Sequence, residues 1–140
     1  MNATLAVILA FVILINGWLL MAGIMYGIGR LLLLDQEATG LMHWINHSLM
    51  LVLSPGFGGF LATYVTPKLF NKVNADTITI GIIAVTITLA TLISLVYLVF
   101  FLQEKPGIPD IGKFALFIVQ VFTIVIGAKI GKRLHVLINA

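Results

Sequence analysis

The sequence predicts an all-α fold, an integral membrane four-helix bundle forming a single transmembrane domain over 1–140. Three observations carry this. Of the 140 residues, 61% are hydrophobic and 9% charged, whereas a soluble domain carries about 25% charged residues. The chain therefore lacks the side chains to build a wettable surface. Its apolar residues fall into four long runs, and a helix crossing the bilayer core needs about 20 predominantly apolar residues. The polar interruptions at 34–40, 66–77 and 103–113 are too short to form a soluble domain.

The first helix is expected at about 3–29. It is longer than the apolar core of a secretory signal, lacks a basic start and has no small-residue cleavage site before Arg30, so it reads as a retained span. Gly23 and Gly27 within it are four residues apart. Small residues at that spacing let helix backbones approach in lipid, which suggests a packing seam.

The second helix is expected at about 41–65. It opens in "GLMHWINHSLMLVLSPGFGG", with Trp44 as an interface anchor. At 100° per residue, His43, His47, Ser54 and Gly58 fall in one narrow stripe. Pro55 removes a backbone hydrogen bond, so a bend is expected over Leu51 to Ser54. Gly56, Gly58 and Gly59 leave room beside the helix for another backbone or a flat ligand.

The third helix is expected at about 78–102, after an N-cap region at Asn74-Ala75-Asp76. Gly81, Ala84, Thr88 and Thr91 share a face, and that face is expected to point into the bundle. The fourth, at about 114–133, carries Lys113, Gln120, Thr123, Gly127 and Gly131 on one stripe. Gln120 lies near mid-membrane, where an amide needs a hydrogen-bond partner. A bond to a neighbouring helix is the favoured reading over a ligand contact.

Four spans put both termini on one side. That side receives Lys68, Lys72, Lys129, Lys132 and Arg133. The other receives Arg30, Lys105 and Lys113 together with Asp35, Glu37, Glu104 and Asp110. Orientation follows the Lys/Arg excess, so a multi-pass protein with both termini cytoplasmic is expected. The basic residues cluster at helix ends, which is no signal for nucleic acid.

The histidines are the strongest lead to chemistry. A pair at i and i+4 can bind one metal ion from one helix face, which makes His43 and His47 the candidate metal ligands. The chain has no cysteine, and His135 falls at the far end of the fourth helix, so a three-ligand site within one chain is not expected. Haem needs only one or two imidazoles, and Gly58 beside the stripe offers a flat surface. This makes His47, His43, Ser54 and Gly58 the candidate cofactor-binding set, with haem b as the cofactor. An intramembrane histidine also suits a proton relay or a quinone contact. The plainer alternative places both imidazoles in the headgroup zone, solvated by water. His47 lies about one turn deeper and is the better candidate.

From the histidines onward, over roughly 43–133, the chain resembles the copper-resistance-D and membrane protoporphyrinogen-oxidase-like group of small helical membrane proteins. The resemblance is carried by His43 or His47, then Gly58-Gly59-Phe60, then "TPKLF" from Thr66 to Phe70. Lys113 opens the last helix and Lys132-Arg133 closes it. The group's tryptophan shortly before the glycines is missing, where "LSPGFGG" stands. The resemblance implies a haem- or porphyrin-related membrane role with His47 or His43 as ligand.

Three functions follow as expectations. The first is a small redox protein associated with haem or quinone. The second is a non-catalytic subunit or assembly factor, partnered in the bilayer by its own copies as a homo-oligomer or by other membrane subunits. It draws on the absence of nucleotide motifs, paired deep carboxylates and triads. The third and weakest is a channel or transporter built along Thr79, Thr86 and Gln120, since no carboxylate lies within a span.

Overall fold

The computed structural model describes residues 2–32, 41–103 and 108–139, with side chains at 32, 41–44, 100–103 and 108–112 outside the description. The expectations for His43 as a ligand, for Trp44 as an anchor and for the placement of Asp35, Glu37, Glu104, Lys105 and Asp110 all lie outside the described residues.

Among the described residues, four helices follow one another: α1 (Asn2–Leu32), α2 (Leu41–Leu69), α3 (Ala75–Gln103) and α4 (Ile108–Ile138). Each contains a stretch long and apolar enough to cross a membrane. They outrun the expected boundaries by up to two turns, because the polar flanking residues continue the helices. Side-chain chemistry closes the start of α3. Asn74 Oδ1 accepts from the Asp76 backbone N–H at 3.1 Å, and the Asn74 carbonyl accepts from Ile78 at 3.2 Å. This is the N-cap arrangement that the sequence predicts there. Asp76 then sits in the first turn, where a negative charge meets the helix dipole favourably.

The helices run up-down-up-down. Along α1 and α2, Gly29 meets Asn46 while Gly17 and Leu14 meet Gly58, so these two are antiparallel. Along α2 and α4, Leu51 meets Gln120, Gly56 meets Gly127, Phe60 meets Gly131 and Tyr64 meets His135, so these are parallel. An ion pair between Asp76 and Lys132 joins the start of α3 to the end of α4. Asn2 borders one cleft with Lys72 and Asn74 of the α2–α3 connection. The chain's first and last described residues therefore lie at the same end of the bundle.

The centre of the fold is α2, held between α1 and α4, whereas α3 lies at the margin. Of the most apolar window of each helix, 39% is buried in α2 and 11% in α3. The core is small-residued: Ala6, Ala10, Ala62 and Ala128 are fully buried beside Leu14, Ile78, Ile82 and Ile124. Large apolar side chains point outward all around, Leu19, Ile80, Phe122 and Leu137 among them. That is the reverse of the arrangement in a soluble bundle.

Two expected seams are corrected here. Gly23 and Gly27 face open space. The buried stripe of α1 is instead Ala6, Ala10, Leu14 and Gly17, nearer the N-terminus. On α3, Gly81 packs on Val7 of α1 as expected, but Ala84, Thr88 and Thr91 are exposed, and Ile78, Thr79, Ile82 and Thr86 are buried. The threonines tolerate that outward position because each satisfies its hydroxyl on its own helix. Thr88 Oγ1 donates to the Ala84 carbonyl and Thr91 Oγ1 to the Ile87 carbonyl, both at 2.8 Å.

Candidate functional site

The middle of α2 concentrates the polar chemistry of the interior. Pro55 has no N–H, so the carbonyl of Leu51, four residues earlier, loses its helical donor. In the structure α2 continues through Pro55, and Gln120 Nε2 of α4 donates to the Leu51 carbonyl at 3.0 Å. Sequence reasoning identified both halves of this bond: a glutamine in need of a partner and a turn stripped of a donor. It did not join them. A bond of this kind between membrane helices contributes roughly 0.6 to 2 kcal/mol.

Glycine brings the backbones close enough for that bond. A Cβ placed on Gly127 would collide with the carbonyl oxygen of Gly56, and one placed on Gly58 with the carbonyl oxygen of Leu14. Gly58 thus faces α1 while Gly56 faces α4. A turn further on, Thr63 Oγ1 donates across to the Ala128 carbonyl at 2.7 Å while remaining near the Gly59 carbonyl at 3.2 Å. Thr63 went unnoticed in the sequence, although its place four residues after Gly59 continues the small-residue spacing.

Of the expected stripe, the described members His47, Ser54 and Gly58 do not share one environment. Ser54 is fully buried and its hydroxyl has no hydrogen-bond partner. Gly58 is buried against α1. His47 is exposed. The residue that meets α1 at this end of α2 is Asn46, against Gly29. Packed helices cross at an angle, so the line of contact moves around α2 as it ascends, and a fixed 100° stripe leaves the interface. The room expected beside Gly56, Gly58 and Gly59 is occupied by the backbones of α1 and α4, not left open for a flat ligand.

At the opposite end of α2, Tyr64 stacks on Phe60 at 5.6 Å and meets the His135 ring edge-on at 6.4 Å. Lys68 Nζ donates to the Tyr64 hydroxyl at 2.9 Å. His135 is therefore far from His47: the helix between His47 and Tyr64 spans about 25 Å at 1.5 Å per residue. No group of three or more His, Asp or Glu side chains that would hold a metal ion occurs among the described residues.

Among the described residues, a half-open cavity of about 210 Å³ lies between α1, α3 and α4, with Phe11, Trp18, Phe117, Thr86 and Gln120 among its walls. Comparison with known protein families, curated proteins and solved structures finds no match to this chain.

Proposed function

We propose that this chain is a multi-pass membrane protein, with both termini cytoplasmic, that serves as a non-catalytic subunit or assembly factor of a larger membrane complex. The observation that carries this reading is the outward face of α3. Ala84 and Thr88 form a small strip there, on the helix that the rest of the chain covers least. Small residues are the means by which membrane helices approach one another. The same device closes α2 against α4 inside this chain, and on α3 Ala84 and Thr88 are exposed. The half-buried glutamine is already taken by Leu51, which supports a packing role for the interior over a reactive one.

The test is a photo-reactive side chain placed at Thr88 in the native membrane. A cross-link to a second membrane polypeptide, lost in Ala84→Leu, is the expected result. Adducts with lipid alone would contradict the proposal.

The haem- or quinone-associated redox reading ranks second. It draws on His47, whose exposure would place a haem outside the four-helix bundle, at a face shared with another chain. A Soret band in freshly solubilised protein that His47→Ala removes would move it to first place.

A further inference from the structure

The 210 Å³ cavity is apolar except for Thr86 and Gln120, and Thr86 is the anomaly in it. Along α3, Thr79, Thr88, Thr91 and Ser94 each donate their hydroxyl to the carbonyl four residues back, at 2.7 to 2.8 Å. Thr86 does not. Its side chain is 6% exposed, and its hydroxyl has no partner. A buried hydroxyl without a partner costs roughly 1 to 3 kcal/mol on protein mutational scales. An acceptor supplied from outside the chain removes that cost.

The surroundings define the acceptor's carrier. Ala90 and Val121 line this cavity and also a second one of about 540 Å³ between α3 and α4, whose walls include Ile87, Ser94, Leu98 and Phe114. The two spaces are therefore adjacent across a single pair of side chains. The inner one is aromatic-walled and compact. A dry cavity of about 150 Å³ admits a benzene ring, so 210 Å³ takes one ring or a carboxyl-bearing chain end and no more. The outer one is apolar and long enough for a chain.

We propose that these two spaces hold a single-tailed lipid whose carbonyl head accepts a hydrogen bond from Thr86 Oγ1 and whose tail lies between α3 and α4. The inference rests on the membrane placement of the chain, not on its having a protein partner. A prenylated quinone and a free fatty acid share this chemistry, and the test separates them.

Trp18 lines the inner cavity, and the chain has two tryptophans. In a Trp44→Phe background, all tryptophan emission therefore reports on this site. The protein is reconstituted in phospholipid vesicles and titrated with decylubiquinone or with 9,10-dibromostearic acid, both of which quench indole. Quenching that saturates is expected with at least one probe, and the one that saturates names the head group. Thr86→Val, which keeps the shape and removes the hydroxyl, is expected to raise the midpoint about fivefold, the value of one hydrogen bond. Ala90→Phe, which obstructs the junction, is expected to abolish saturation. Linear, unsaturating quenching by both probes would overturn the proposal. So would saturation left unchanged by Thr86→Val, a variant whose fold a thermal midpoint at or above that of the parent would verify.

Discussion

The helices α2 and α3 are equally long, 29 residues each, and the chain treats them in opposite ways. α2 contains two prolines and three glycines in its middle and second half, yet it is the helix that everything else packs around. α3 is the more uniformly apolar of the two, and most of it remains uncovered. In water the greasier helix would be buried first. In hydrocarbon, apolar side chains gain nothing from leaving the solvent, and association follows close packing and hydrogen bonding instead. Gly56 and Gly58 give α2 two faces on which another backbone can lie. The branched and bulky side chains of α3 keep its backbone away from its neighbours.

Substitutions that fill the glycine faces should break this contrast most strongly. Gly58→Leu would drive a side chain into the Leu14 carbonyl, and overpacking of a tight core typically costs about 1 to 3 kcal/mol, occasionally more. The expected result is a loss of the monodisperse species in detergent or a fall in midpoint of about 10 °C. Ala84→Leu on the outer face of α3 should leave the isolated chain within about 0.5 kcal/mol of the parent. Size-exclusion profiles and thermal unfolding of the two variants side by side would show it.

A smaller effect is expected at Gln120. Gln120→Leu leaves the Leu51 carbonyl without a donor and should cost about 1 kcal/mol. Pro55→Ala restores the N–H that this carbonyl lacks, so in that background Gln120→Leu should cost distinctly less. A double-mutant cycle measures the difference. A coupling near zero would mean that the glutamine does not compensate the proline.

The smallest effect belongs to the ion pair at the end of the bundle. The Lys132 and Asp76 side chains are 38% and 53% exposed, and pairs so open to solvent contribute about 0 to 1 kcal/mol and weaken with salt. Lys132→Met should lower stability by no more than about 0.5 kcal/mol at low ionic strength, with the difference vanishing at high salt. A persistent loss in high salt would point to packing by the lysine stem.

Much of the fold was legible in the sequence, because run length and charge placement report directly on helices that can span a bilayer. The N-cap at Asn74 was legible for a similar reason, as was most of the α4 stripe: Gln120, Thr123, Gly127 and Gly131 meet α2, while Lys113 at its start is exposed. The face of α3 was not legible. Thr88 and Thr91 look like interior residues by composition, but a threonine that bonds its own helix has no need of the interior. Gly23 and Gly27 misled in the same way, since spacing shows that a helix can be approached there and not that another helix does so. Along the histidine stripe, His47 is exposed while Ser54 and Gly58 are buried: helical periodicity holds within α2, but the crossing of α1 determines which part of the stripe is covered. The partnerless hydroxyl of Thr86 had no sequence signal, because it differs from the other threonines of α3 only in three dimensions.

The central claim is that close backbone contact holds the molecule together, and that glycine matters only where such contact occurs. Thermal unfolding of Gly127→Leu and Gly23→Leu in one detergent tests it within a single residue type. Gly127 lies against the Gly56 carbonyl, and Gly23 faces open space. The account expects Gly127→Leu to lower the midpoint by about 10 °C or to abolish the folded species, and Gly23→Leu to unfold with the parent protein. Equal losses in the two variants, or a Gly127→Leu protein as stable as the parent, would contradict it.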